Sequence, residues 1–199
     1  MKGLLLKDLK TLGAQAKILF LLLAFYLVFS VAQRDYSMLS VMVSVFGAIL
    51  PITALAYDER GKWERYALTM PISRRDLVLS KYLLGLLLLG GGFLLSVVCQ
   101  LLGGTGVLSA VVSALQSLSI GALMLSVTLL ASFRFGVEKG RFVMMLAVFL
   151  PSVVVLSVGR LASAALWVER LLNLLPVIAA AALLLSALTA VRIYAKREF

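Results

Sequence analysis

From Tyr82 to Phe133 the chain runs 52 residues without one Asp, Glu, Lys or Arg. About 20 apolar residues carry a helix across the hydrocarbon core of a bilayer, so this run is long enough to cross twice. Gly103-Gly104-Thr105-Gly106 breaks it near the middle with a strong turn signal, which divides it into spans at 82–102 and 107–133. Further charge-free runs lie at 18–33, 36–57, 142–159 and 171–191. The run at 36–57 gives about 33 Å of helix at the standard rise. Inside a bilayer every backbone polar group must be paired within the protein, which leaves helices as the simplest spanning form. The expectation is an all-α polytopic membrane protein with six transmembrane helices. Composition agrees, with 62% hydrophobic residues, 14% charged residues and a mean hydropathy of +1.08. The segments between spans are too short to bury a core of their own, so 1–199 is expected to be a single transmembrane domain.

Residues 1–17 place Leu5, Leu9 and Leu12 at helical spacing, with Lys2, Lys7, Lys10 and Lys17 among them. That pattern suits an amphipathic helix lying in the membrane interface; the alternative is a plain extension of the first span. Only Arg34 and Asp35 separate the first two runs, so those spans form a hairpin. Of the nineteen Lys and Arg, sixteen fall in 1–17, 58–81, 134–141 and 192–199, and three in 33–35, 103–106 and 160–170. The positive-inside rule therefore puts both termini and the 58–81 segment in the cytosol. The net charge of +10 is read as this topological bias, not as a nucleic-acid surface. No cleavable signal pattern follows the N-terminal lysines. Trp167 marks 160–170 as a segment at the outer interface, either a simple connection or a short re-entrant helix.

The chemistry that is missing narrows the function. The chain has no His and one Cys, Cys99, which falls in mid-span. As the spans are drawn, no charge lies well inside any of them, which argues against a charged proton relay or a voltage sensor. A Ser–His–Asp triad is impossible without His. No phosphate-cradling G-x-x-x-x-G-K-[ST] run occurs, so no cofactor is expected on this chain and it is not expected to be an enzyme. Ser109, Ser113, Ser117 and Gly121 recur every fourth residue, a row that lets helices approach closely. With Gln100 and Gln116, these residues either pack and hydrogen-bond between helices or line a cargo path. Gly90, Gly91 and Gly92 permit close approach or a kink in the third span, and Pro51, Pro151 and Pro176 also fall inside spans.

One long interval is polar. Tyr57 to Tyr82 holds 10 of the 28 charged residues. Within it Trp63, Tyr66, Ala67 and Met70 share one face of a short helix. Pro71 ends that helix. Ser73 and Asp76 have capping-box spacing, and Ile72 with Leu77 the spacing of a hydrophobic staple, so a new helix starts at Ser73. The short helix shows an apolar face for which the chain offers no obvious cover. It either lies on the membrane or fits a groove in a partner.

The stretch YDERGKWERYALTMPISRRDLVLSKYL resembles the segment after the second span in small permeases of type-two ATP-binding-cassette exporters. The shared pattern is an acidic pair, Gly, Trp and Tyr, then L-[ST]-x-P-[IV]-S-R, then V-x-S-K-Y. FRFGVEKGR at 133–141 is similar to that family's connection between spans four and five. Within that family, the chain resembles permeases of the phenol-soluble-modulin exporter kind. The resemblance implies a homodimer or pseudo-dimer in the bacterial cytoplasmic membrane, carrying separate ATPase subunits that bind ATP and Mg. It implies a coupling helix at 60–71 that enters a cleft on the ATPase. Carried over residue by residue, Asp58, Glu59 and Gly61 would stand at its entry. Trp63, Tyr66 and Met70 would dock, Glu64, Arg65, Arg74 and Arg75 would make polar contacts, and Pro71 and Ser73 belong to the same coupling segment. Arg134, Glu138, Lys139 and Arg141 would form a second contact. The cargo expected is an amphipathic or hydrophobic peptide, drug or lipid. The rival reading is a non-transporting scaffold or immunity-type protein that binds a soluble partner through the same helix.

Overall fold

The computed structural model describes residues 2–67, 69, 73–158 and 164–195, without the side chains of 2, 14–16, 64, 65, 150–158, 164–171 and 195. The expectations for Met70, Pro71 and Ile72, and for the side chains of Glu64, Arg65, Pro151 and Trp167, lie outside the described residues. The described residues form seven helices: α1 (Lys2–Gln33), α2 (Ser37–Arg60), α3 (Trp63–Ala67), α4 (Arg74–Leu102), α5 (Val107–Phe135), α6 (Val137–Val158) and α7 (Ala164–Ala195).

Among the described residues, four helices are long and apolar enough to cross a membrane: Ser37–Arg60, Arg74–Leu102, Val107–Phe135 and Leu172–Tyr194. Within α1, Gly3–Gly13 and Lys17–Gln33 meet at a bend of 70° and together qualify as a fifth. The remaining expected span, 142–159, falls along α6, which is not among these.

Helix α5 is central and packs against α2, α4, α6 and α7. The core between α2, α4, α5 and α7 is built from Ile52, Leu55, Val78, Leu89, Leu125, Leu129, Phe133 and Tyr194. Phe20, Leu21, Phe25, Phe149, Leu184 and Leu185 point outward. Such an inside-out distribution is what hydrocarbon permits and water does not.

The turns follow local chemistry. Arg34 takes a left-handed φ of 54°, and Asp35 Oδ1 accepts the Ser37 N–H at 2.9 Å, which starts α2. That hydrogen bonding, by the Ser37 side chain and then its backbone N–H, holds the Asp35 carboxyl below its usual range. Gly104 has φ +83°, and a Cβ on Gly103 would lie 2.2 Å from the Tyr36 ring. Ser73 caps α4, its Oγ accepting the Asp76 N–H at 3.1 Å.

Three boundaries differ from the sequence reading. The expected connection at 134–141 shrinks to Gly136 alone, at φ +90° between α5 and α6. Charged residues had marked that segment as a loop, yet charge does not end a helix; a left-handed glycine does. Most of the expected connection at 160–170 is helical, since α7 begins at Ala164. The short helix expected to run on to Pro71 is the five-residue α3, after which Thr69 turns back, its N–H donating to the Tyr66 carbonyl at 3.1 Å.

Candidate functional site

The polar interval begins where α2 runs out. Gly61 N–H donates to the Tyr57 carbonyl at 2.9 Å and stops the helix, and Lys62 at φ 49° reverses the chain into α3. This brings the end of α2, all of α3 and the first two turns of α4 to one end of the bundle.

Four charges meet there in a closed ring. Asp58 Oδ1 lies 2.5 Å from Lys7 Nζ, and its Oδ2 lies 2.6 Å from Lys81 Nζ. Asp8 repeats the arrangement from the other side, with Oδ2 2.7 Å from Lys81 Nζ and Oδ1 3.2 Å from Lys7 Nζ. The second of these is an ion pair without hydrogen-bond geometry, for Asp8 Oδ1 accepts no hydrogen bond. Each carboxylate thus bridges both lysines, and the ring is neutral as a whole. Asp8 is 1% exposed and Lys81 4%. Charges this deep persist only when paired, because the interior does not solvate them. The ring ties α1, α2 and α4 together.

Sequence reading missed three of these roles, and passed over Asp8 altogether. It placed Lys81 outside the third span, in the polar segment, and treated Lys7 as one of several surface lysines. The available signal was Asp8 itself, the only acidic residue before Asp35 in a segment with four lysines.

The ring also changes the picture of α3. Lys7 Nζ stands 4.5 Å from the centre of the Trp63 ring, within cation–π range. Trp63 faces a small cavity lined by Leu55, Leu77, Phe133 and Tyr194, with its Nε1 buried, and Ala67 is fully buried. The face expected to be bare is therefore divided. Trp63 and Ala67 turn toward the chain's own helices, while Tyr66 points away and is 64% exposed. The reason is tertiary: α1 comes back over this end of the bundle, a contact that the periodicity of 63–70 could not register.

Glu59 does a different job from Asp58. Its Oε1 and Oε2 accept the Val137 N–H at 3.2 and 3.3 Å, which caps α6 just past Gly136. A carboxylate at a helix N-terminus satisfies an orphan donor and opposes the helix dipole. The two expected contact regions are thereby joined through the end of α2. Arg134, Glu138, Lys139 and Arg141 are all exposed beside this junction, as are Gly61 and Arg75. Ser73 is occupied as the cap of α4.

Residues 3–195 match the family model described as ABC-2 family transporter protein. The chain belongs to that family. No curated protein and no solved structure matches it significantly. An ABC-2 protein of this kind is the membrane permease of an ABC transporter, and the family implies an ABC ATPase as partner.

The spans of this ABC-2 permease use their polar residues on one another. Gln100 Nε2 donates to Ser40 Oγ at 2.8 Å, and Ser113 Oγ donates to Gln100 Oε1. The small-residue row is split in use. Ser109 is exposed and Ser117 bonds back to its own helix. Gly121 brings α5 against α2, where a Cβ would sit 2.7 Å from the Ser44 carbonyl oxygen. Gln116 is half-buried. Of the three consecutive glycines, Gly92 faces Val43 on α2, whereas Gly90 and Gly91 meet nothing within 4 Å. Two apolar clefts open beside these helices. One of about 370 Å³ lies between α4, α5 and α7, and one of about 270 Å³ between α1, α2 and α4.

Proposed function

We propose that the protein is the permease of a bacterial ABC exporter, and that α3 with its flanks is the coupling helix by which a separate ATPase, loaded with ATP and Mg, drives it. The observation that carries this reading is Tyr66. It is an aromatic side chain, 64% exposed, at the tip of a short helix anchored on both sides by paired charges. An aromatic ring held out on a rigid support is the kind of anchor that a partner's groove takes up. Arg75, and at the second contact Arg134, Glu138, Lys139 and Arg141, are exposed charges that such a partner could also meet.

In this reading the N-terminal part of α1 lies in the cytosolic interface and α6 completes a set of six spans. Both termini are cytosolic, in the bacterial cytoplasmic membrane, and two permeases form the working dimer. The cargo is amphipathic or hydrophobic, in keeping with the likeness of 57–83 to phenol-soluble-modulin exporter permeases. The apolar clefts support this, because a site lined by leucine and alanine offers nothing to a sugar or an ion.

The test separates Tyr66 from Trp63. Membranes carrying the unmutated protein, Tyr66→Ala or Trp63→Ala are solubilised, and the ATPase activity that co-purifies is measured. Tyr66→Ala is expected to lose ten-fold or more of it with the permease still folded, while Trp63→Ala also lowers the thermal midpoint. An unmutated protein that brings down no ATPase overturns the reading. A protein that binds an ATPase yet moves no labelled amphipathic peptide, lipid or lipophilic dye in vesicles is the non-transporting scaffold instead.

A further inference from the structure

Among the described residues, the N-terminal segment enters the coupling site through Lys7 and Asp8, which are adjacent in sequence and opposite in charge. Both reach the ring, and Lys7 also covers Trp63. The α2–α4 pair of Asp58 and Lys81 would be neutral without them, so they are not required for charge balance. What they add is a connection: a third element fixed to the carboxylate at the end of α2, to the lysine of α4 and to the indole of α3. Beyond Gly13 the same helix turns through 70° into Lys17–Gln33, so a displacement at Lys7 is passed on to a long apolar helix.

We propose that Lys7 and Asp8 are positioning residues that make the N-terminal segment part of the transmission element, carrying movement of α3 into α1 as well as into α2 and α4. The inference rests on the coupling role of α3 given above. Its mechanism is electrostatic and geometric. In a poorly solvated ring, a shift of Asp58 or Lys81 away from Lys7 or Asp8 exposes unpaired charge, so the four groups move together or not at all. The cation over the Trp63 face extends the same constraint to α3.

The experiment uses the full chain in lipid nanodiscs of phosphatidylcholine and phosphatidylglycerol, with its co-purified ATPase, in a Trp167→Phe background that leaves Trp63 as this chain's sole tryptophan, its signal taken as the difference from the same complex carrying Trp63→Phe. Lys7→Met/Asp8→Leu removes one charge of each sign and keeps the Asp58–Lys81 pair. Lys10→Met, an exposed lysine on the same segment, is the control. In the double variant, acrylamide quenching of Trp63 should rise two-fold or more. The change in Trp63 emission evoked by ATP should fall at least five-fold, with co-purified ATPase within two-fold of the unmutated level. Lys7→Arg should retain both responses. Should the double variant not fold, the near-isosteric Lys7→Gln/Asp8→Asn removes both charges and the cation over the indole while keeping polar partners for Asp58 and Lys81, and the same two changes are expected.

Unaltered quenching with an unaltered ATP response overturns the inference. Loss of the ATPase itself also overturns it, since the segment would then be a docking surface. If no ATPase co-purifies even with the unmutated protein, it is the permease reading that fails. The quenching arm then decides alone: unchanged values overturn the role of Lys7 and Asp8 in holding Trp63, and a doubling supports it.

Discussion

The two ends of the bundle are both fastened by polar side chains, but by different kinds. At the charged end, Lys7, Asp8, Asp58 and Lys81 close a ring of full charges at 2.5 to 3.2 Å. At the opposite end, Gln100 reaches Ser40 and is reached by Ser113, all neutral groups, beside a glycine turn packed on Tyr36. Charges in poor solvent hold or fail as a set, whereas neutral hydrogen bonds give way one at a time and each adds little net stability. The first kind of fastening suits a place where movement must be passed on whole. The second suits a place that only has to stay shut.

The largest effect should come from Lys81→Met. It leaves two carboxylates sharing one lysine in a buried position, at a cost of about 3–5 kcal/mol. Thermal unfolding in lipid should show that loss, and adding Asp8→Leu should recover most of it. If single and double variants melt alike, the ring is no unit and the contrast between the ends collapses. Next comes the middle of the bundle. Gly121→Ala forces a methyl against the Ser44 carbonyl and should cost about 1–3 kcal/mol. Gly90→Ala meets nothing within 4 Å and should gain about 0.5–1 kcal/mol from helix preference.

At the neutral end, Gln100→Leu removes the two bonds to Ser40 and Ser113, whose hydroxyls keep the Tyr36 and Ala110 carbonyls, and should cost about 1 kcal/mol, with ATPase co-purification unchanged. A loss of partner from that change would mean that the ends are not separate in function. The smallest effect is expected at Asp35. Its carboxyl is held below the ordinary range, so its contribution is present above the unfolded value of about 3.9 and is lost as pH falls through the lower folded value. Asp35→Ala should therefore lower the unfolding midpoint slightly at pH 7, and the difference should shrink as the pH is lowered below about 3.9.

The features legible in the sequence were those written within a few residues. The glycine cluster at 103–106, the Arg34-Asp35 hairpin and the Ser73 cap each rest on neighbours in the chain, and each stands as read. The burial of Trp63 and the ring were not legible, because their partners lie up to 73 residues apart. Reading spans as charge-free runs also hid Lys81. The rule assigns any charge to a boundary, while Lys81 sits inside a continuous helix and is tolerated there because Asp58 and Asp8 meet it. The acidic pair of 58 and 59 was recognised as a unit, yet its two members face different helices. Adjacent residues on a helix point about 100° apart.

The spacing of the ring has a consequence for how the molecule is made. Lys7 and Asp8 leave the ribosome first, Asp58 follows 51 residues after Lys7, and Lys81 comes 73 after Asp8. At ordinary elongation rates that interval lasts about 4–15 s. Lys7 gains its partner when Asp58 emerges, whereas Asp8 has only Lys7 beside it until Lys81 arrives. The opening residues of the chain are thus among the last to settle, and the ring closes only after α2 is in place and α4 has begun to form.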